Sequence, residues 1–268
     1  MLFGHGYVTS YLARALVGLG HSVHISTRNP AKFNTIISLG AHPFVFGDPL
    51  PEATTAVVDS IPPVGGMPPA LSLYPYAWPP GLRWVGYLST TGVYADPPQP
   101  TTTPLTEAAP LLTDPTHRSY GRVTSEAAWQ ATGLPVHHFR LAGIYGPGRN
   151  MLQRVLEADY HGLGHDGRLV HRIHVADIVQ VLLASLSHPT PGEAFNVCDD
   201  QPAPTYDALS YAAELLGKPV PAIAPGTKGA MSPTTNRHLS NAKIKQILGI
   251  KLHYPSYHSG LKQLLSTL

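Results

Sequence analysis

The sequence predicts an α/β fold, a doubly wound parallel sheet with a small C-terminal lobe, and three observations carry that prediction. Met1-Leu2-Phe3 runs into Gly4-His5-Gly6, and from Val8 onward Leu12, Ala15, Leu16 and Leu19 recur at helical spacing, which reads as strand, tight turn, helix. Val23 and Ile25 then alternate with polar residues up to Thr27-Arg28, and a second helix signal follows, so the order is strand, helix, strand, helix. Beyond residue 198 the pattern changes to capped helices joined by Pro-rich connectors, which suits a lobe over the sheet edge.

Each element has its own signal. Gly18 and Gly20 end the first helix; Asn29 and Pro30 have the chemistry of an N-cap and a first helical residue, with Gly40 as the stop. His42–Phe46 is a third strand, ending at Gly47-Asp48, and Ala56–Val58 a fourth, ending at Asp59-Ser60-Ile61-Pro62-Pro63. From Pro62 to Pro80 the pairs Pro62-Pro63, Gly65-Gly66, Pro68-Pro69 and Pro79-Pro80 argue against a full-length helix. Trp84–Leu88 is a fifth strand with Ser89–Tyr94 at its end, Asp96–Thr116 a surface loop, and Arg118–Ala131 a helix. Pro135–Leu141, the sixth strand, runs into the turn-rich Ala142–Gly148; within it, His137-His138 is expected to place one ring inside and one outside.

A short helix begins near Met151, Asp166-Gly167 makes a hairpin-like turn, and Arg172–Val175 leads into a helix carrying Ile178, Val181, Leu182 and Leu186. Ala194–Val197 is one more strand, and helices over Tyr206–Leu216 and Asn241–Leu248, capped by Thr205 and Ser240, follow. Residues 1–148, completed by about 171–198, would form a nucleotide-binding domain, and 149–170 with 199–268 a smaller substrate lobe.

Composition narrows the function classes. The 268 residues can bury a substantial core, and 18 Lys and Arg against 16 Asp and Glu leave no field to draw nucleic acid or an anionic membrane. The 15 histidines show no metal-ligand spacing, so no metal site is expected. Cys198, the single cysteine, excludes an intrachain disulfide, fits a reducing compartment and reads as a small apolar filler. No apolar run approaches the ~20 residues of a membrane span and no signal-peptide pattern opens the chain, so a soluble, cytoplasmic protein is expected.

The Gly4-His5-Gly6 turn supplies the first functional reading. A dinucleotide needs a first Gly for the turn, a second that lets the pyrophosphate approach the backbone, and a helix start with free N–H groups. Gly4, His5, Gly6, Tyr7 and Val8 are therefore candidate cofactor contacts, with Thr9 as a small residue where a third Gly is usual. No Asp or Glu occurs from His21 through Gly40 to accept the adenosine ribose hydroxyls. Arg28, with Thr27 and Asn29 as further donors, can meet a 2′-phosphate instead, so NADP(H) is expected over NAD(H).

Five stretches in order carry a resemblance: Gly4-His5-Gly6-Tyr7, Ser89-Thr90-Thr91-Gly92-Val93-Tyr94, Arg140–Pro147, Arg172–Ile178 and Phe195-Asn196-Val197. Together they make the chain resemble an extended short-chain dehydrogenase/reductase, the group with the Rossmann fold that contains NAD-dependent epimerases and dehydratases. Arg140–Asn150 and Arg172–Asp177 are most similar to atypical members, which keep the cofactor fold but lose the usual catalytic residues. The resemblance implies cofactor contacts from Ser60, Ile61, Pro62, Leu88, Ser89, Leu141, Ala142, Gly143 and Ile144, and substrate contacts from Thr91, Tyr145 and His174.

The resemblance also implies hydride transfer assisted by a Tyr acid/base, a Lys four residues on and a polarising hydroxyl. The hydroxyl falls on Thr90, and Tyr120 is the candidate acid/base, but Thr124 stands four residues later and no Lys lies between Arg118 and Gln130. Counting back from Glu126 puts Arg122 at the Lys position, where it can supply fixed charge but not a proton. Asp177 is read as orienting a helix start, with His174 held by backbone.

Two functions follow: an NADP(H)-dependent oxidoreductase or epimerase-like enzyme on a small carbonyl or nucleotide-sugar-like substrate, or a non-catalytic NADP(H)-binding redox sensor. Arg154, Arg168 and Arg237 in the lobe either meet a phosphate or are solvated. The Pro- and Gly-rich Pro62–Pro80 stretch replaces one helix of the family's four-helix dimer, so a monomer or a non-standard homodimer is expected.

Overall fold

The computed structural model describes residues 1–96, 103–229 and 237–268. It contains a seven-stranded parallel sheet built from β1 (Leu2–Phe3), β2 (His24–Thr27), β3 (His42–Val45), β4 (Ala56–Asp59), β5 (Trp84–Thr90), β6 (Val136–Leu141) and, at the far edge, the strand Ala194–Val197. Their order, β3-β2-β1-β4-β5-β6 and then the edge strand, reverses direction between β1 and β4. Ligands of doubly wound sheets bind outside the carboxyl ends of the strands at such a reversal, which here is occupied by Gly4 and Ser60. The chain divides into two compact units: 1–94, 110–140 and 179–195 form one, and 95–109, 141–178 and 196–268 the other.

In the first unit, α1 (Tyr7–Gly18) follows β1, and α2 (Phe33–Ser38) follows β2. Asn29 is the cap expected of it, its Oδ1 accepting from Ala31 N at 3.0 Å, but Pro30–Lys32 winds as a 3-10 turn before the α-helix begins. The Pro/Gly-rich stretch holds only α3 (Pro69–Leu73), and α4 (Tyr120–Gln130) precedes β6. One core cluster packs Phe3, Val57, Val85, Tyr87, Trp129 and Val136 together. The expected split of His137-His138 does not occur: the rings are 0% and 5% exposed. β6 is an interior strand covered on both faces, so alternation brings neither ring to solvent. His137 Nε2 accepts from Thr190 N at 2.8 Å and His138 Nε2 lies 3.3 Å from Gln130 Oε1.

In the second unit, β7 (Gly143–Tyr145) pairs in parallel with β9 (Arg172–His174). α5 (Met151–Leu156) is capped by Asn150, and β8 (Leu169–Val170) pairs with β11 (Ala203–Pro204). The helix α6 (Val175–Ser187) begins in this unit and from residue 179 belongs to the first, and the edge strand β10 (Ala194–Val197) follows it. α7 (Thr205–Leu215) starts at Thr205 itself, with Pro204 as N-cap and no side-chain cap, so the expected Thr205 cap is displaced into the helix. α8 (Ala242–Ile247) follows, with Ser240 Oγ accepting from Ala242 N at 3.3 Å, and α9 (Tyr257–Leu265) closes the chain on a Ser256 cap.

The stretch expected as a surface loop is not one throughout, although its residues 97–102 lie outside the described residues. Leu105 N donates to His238 O at 2.7 Å, Ser240 N donates to Leu105 O at 2.9 Å, and Glu107 Oε1 accepts from Asn196 N at 2.8 Å. Cys198 is fully buried, as a filler should be. Among the described residues no helix is long and apolar enough to cross a membrane, and no group of three or more His, Cys, Asp or Glu is placed to hold a metal ion.

Candidate functional site

The turn after β1 is built by side chains from three directions. Gly4 has φ +91°, where a Cβ would also come within 2.8 Å of Ser60 Oγ, so only Gly fits. Its N–H donates to Ser26 Oγ at 3.0 Å, and Ser60 Oγ donates to Phe3 O at 2.8 Å. Thr9 does more than keep the third fingerprint position small. Its hydroxyl accepts from Gly6 N at 2.9 Å and lies 2.8 Å from Gly4 O, closing the turn from the helix side.

Replacing Thr9, which is fully buried, by Val is therefore expected to cost about 1–3 kcal/mol, because Gly6 N–H loses its acceptor. Urea denaturation checks this, and a variant as stable as the wild type would show that the hydroxyl does not hold the turn.

Gly6 is a different case from Gly4. A Cβ there would meet only Thr9 Oγ1, at 4.0 Å, so no internal packing demands a glycine and the space over the backbone is open. Gly6 is also the N-cap of α1 and provides no side-chain cap, and the first turn holds no acidic residue. Beside it, His5 Nδ1 is buried without a hydrogen-bond partner, and burial followed by the charge of Lys32 holds this imidazole below its usual range. An open backbone, an uncapped twelve-residue helix and an orphaned ring nitrogen fit a phosphate-bearing ligand.

Around this turn the candidates divide. Arg28 is exposed and makes no hydrogen bond or ion pair among the described residues. Thr27 and Asn29 are used locally: Thr27 Oγ1 accepts from Asn29 N at 3.1 Å, and Asn29 Oδ1 is the cap described above. Ile61 N donates to Asp59 Oδ1 at 3.0 Å, and Pro62 is exposed. Val8 is buried, and Tyr7 packs its ring 5.1 Å from that of Tyr11.

At the end of β5 the expected hydroxyls take unequal roles. Ser89 Oγ donates to Glu126 Oε1 at 2.6 Å inside the core. Thr90 Oγ1 accepts from Gly92 N at 3.1 Å and caps the short turn Thr91–Val93. That turn packs on the start of α4: a Cβ on Gly92 would come 2.7 Å from Ser119 Oγ, the residue before Tyr120. The elements bearing Thr90 and Tyr120 are thus brought together. Arg122 Nη1 donates to Tyr87 OH at 3.0 Å and to Leu88 O at 3.1 Å, with its guanidinium over the Tyr87 ring. Its charge sits against β5.

In the second unit, Leu141 and Ala142 are buried, Ala142 N donates to Val197 O at 3.1 Å, and Gly143 N donates to His171 O at 3.0 Å. Gly143 and Ile144 then form one wall of a cavity of about 570 Å³. Tyr145 lines it too, with its ring edge-on to His174 at 5.1 Å and its hydroxyl donating to Ser256 O at 3.3 Å. His174 is held as expected, Nδ1 accepting from Ala176 N at 3.2 Å; burial lowers its imidazole to about 4, and Nε2 has no partner. Asp177 does not orient its own helix start. Its carboxylate accepts from His253 N at 2.6 Å and Tyr254 N at 3.1 Å, so it anchors the segment leading to α9.

Sequence reasoning missed two groups that shape these sites. Asp59 is fully buried and accepts from Trp129 Nε1 at 3.1 Å; burial pushes its carboxyl up to about 6, against the pull of those hydrogen bonds and of Arg122. Asp199 is buried with neither carboxylate oxygen making a well-aligned hydrogen bond. The only signals for them were a carboxylate directly after Ala-Val-Val and an acidic pair directly after Phe-Asn-Val-Cys.

No protein-family model matches the chain. A solved structure of a functionally unknown conserved protein from Silicibacter pomeroyi is 38% identical, superposes with a TM-score of 0.90, and is matched over 99% of this chain and 97% of that one. A Methylobacillus flagellatus structure assigned to the NAD-dependent epimerases/dehydratases is 26% identical, with a TM-score of 0.72 over 99% of this chain and 97% of the other. A 3-diazoavenalumate denitrifying reductase of Streptomyces is 30% identical over 136 residues, so the match spans 46% of this chain and less than half, 44%, of that enzyme. With its strand order and these likenesses, the chain belongs to the NAD-dependent epimerase/dehydratase-like family of short-chain dehydrogenases/reductases.

Proposed function

We propose that this protein is an NADP(H)-dependent oxidoreductase or epimerase-like enzyme of the atypical type, acting on a small carbonyl or nucleotide-sugar-like substrate. The observation that carries the reading is the turn at Gly4–Gly6, open at Gly6 and with no side-chain cap from Gly6 at α1, next to a β2 end where Arg28 is exposed and makes no ion pair among the described residues. Gly4, Gly6 and the α1 start would hold the pyrophosphate, and Arg28 the 2′-phosphate. The cofactor, when bound, supplies or accepts the hydride. Thr90 would polarise the substrate oxygen, Tyr120 would hold the proton, and Arg122 would add fixed positive charge. Kinship with an NAD-dependent epimerase/dehydratase and with a reductase supports nicotinamide chemistry in general.

Calorimetric titration of both cofactors tests the assignment. The wild type should prefer NADPH over NADH by about tenfold to a hundredfold, the range of a charge-assisted contact of ~1.5–3 kcal/mol, and Arg28→Ala should lose most of that preference. Equal affinity for the two cofactors, or an NADPH affinity that the substitution leaves untouched, would show Arg28 to be a bystander.

A second reading, a cofactor-binding sensor without turnover, draws on Thr124 standing where a catalytic Lys is usual and on the commitment of Arg122 to Tyr87 and Leu88. Stopped-flow absorbance of bound NADPH against a panel of carbonyl compounds separates the two. Tight binding with no oxidation by any of them selects the sensor.

A further inference from the structure

The cavity of about 570 Å³ in the second unit has the size of a drug-like ligand site, and its floor is that unit's own hydrophobic core. Tyr145, Ala208, Tyr257 and Leu261 line it and belong to the buried cluster of the unit, while Met151 and Leu163 line it and pack on that cluster. A ligand there would lie directly on close-packed apolar side chains.

The charged residues on the same wall are already in use. Arg154 donates from Nε to Asp159 O at 2.7 Å and from Nη2 to His161 O at 2.6 Å. Arg172 donates from Nη1 to Val170 O and Ala203 O, both at 2.9 Å, and lies over the Tyr257 ring. Arg149 is engaged as well, and Glu157 adds a carboxylate that would repel a phosphate. The other basic candidates of this unit are paired: Arg237 with Asp96 at 2.7 Å and Arg168 with Asp166 at 3.8 Å.

A nucleotide diphosphate is held by charge-assisted donors, and a guanidinium already saturated by carbonyls must break those bonds to serve as one. What remains on the wall is neutral. The side chains of Gln153 and Thr205 face the cavity and make no hydrogen bond among the described residues.

We infer that this cavity takes a neutral, largely apolar, ring-bearing carbonyl compound in preference to a nucleotide sugar, its ring on Leu163, Ala208 and Leu261 and its oxygen within reach of Gln153 or Thr205. The inference rests on the oxidoreductase reading and narrows its substrate class. It requires only binding.

Saturation-transfer NMR and calorimetry on the full chain, with acetophenone, benzylacetone and UDP-glucose as probes, test it without turnover. At least one ketone should bind at least tenfold more tightly than UDP-glucose. Leu163→Arg, which sets a new cation in a half-buried wall position, should weaken the ketone at least tenfold, and Met151→Trp, which fills the space, should do the same. NADPH titration of each variant reports whether the first unit is intact. UDP-glucose binding more tightly than both ketones, no ketone binding at all, or ketone affinity unchanged in both variants overturns the inference. Ketone binding that behaves as expected in a protein that binds neither NADPH nor NADH would leave the cavity assignment standing and remove the cofactor reading instead.

Discussion

Replacing Arg140 by methionine is expected to lower folding stability by about 3–5 kcal/mol, the cost of stranding a buried charge. The side chains of Arg140 and Glu126 are each 6% exposed, and Arg140 Nη2 reaches Glu126 Oε2 at 2.8 Å while Nε lies 3.2 Å from Oε1. Ser89 Oγ donates to the same carboxylate, and Arg140 Nη1 donates to Tyr94 OH at 2.9 Å, with the guanidinium 4.9 Å over the Tyr94 ring. The network joins β5, α4 and β6, so every partner is fixed by a different element and none can follow a displaced charge to water.

Removing both charges is a separate question. An apolar pair of similar volume avoids the desolvation penalty, so Arg140→Met with Glu126→Leu should regain most of the loss, less about 1 kcal/mol for the Ser89 hydroxyl, which loses its acceptor. Urea denaturation of the wild type, both single variants and the double variant gives the coupling energy. A cost below about 1 kcal/mol for Arg140→Met, the range of solvent-exposed pairs, would sink the argument.

Asp199→Asn is expected to stabilise the protein in alkaline solution and to leave it nearly unchanged near pH 4. Asp199 is 1% exposed, neither carboxylate oxygen makes a well-aligned hydrogen bond, and burial pushes its carboxyl up to about 8 although the charge of Arg172 and the backbone N–H groups of Arg172 and Gln201 pull the other way. Between the ordinary carboxylate value, about 4, and pH 8 the unfolded chain is ionised at this position while the folded chain keeps its proton. The folded state therefore binds more protons, and stability falls as pH rises through this window; above it the folded state carries the whole penalty.

The asparagine variant removes that slope and should gain about 2–5 kcal/mol over the wild type at pH 9. Asp59, raised to about 6, contributes a slope of the same sign below pH 6, but it is present in both proteins and cancels from the comparison. Denaturation midpoints measured from pH 4 to 9 decide the matter. Parallel curves for the two proteins would mean that Asp199 is not a buried neutral acid.

The sequence by itself determined the fold class and most of the element order, because both rest on local physics. Apolar periodicity, the Gly4–Gly6 turn, the Asn29 cap and the Pro-rich break after Pro62 act over a few residues and need no distant partner. The strand-end position of Thr90 was legible for the same reason, whereas the capping of the following turn by its hydroxyl came only with the structure.

The tertiary structure alone decided how the polar side chains are used. Ser89 and Arg140 are 37 and 14 residues from Glu126, Asp177 holds a backbone 76 residues away, and Ser26 reaches Gly4 across 22. Each of these side chains could equally have faced a ligand or solvent as far as its neighbours in sequence show. A buried polar group must find its partner wherever the fold supplies one, and that partner is set by which strands lie side by side. The same long-range packing buried both histidines of β6 and left the Asp199 carboxylate buried without a well-aligned hydrogen bond, neither of which any local pattern records.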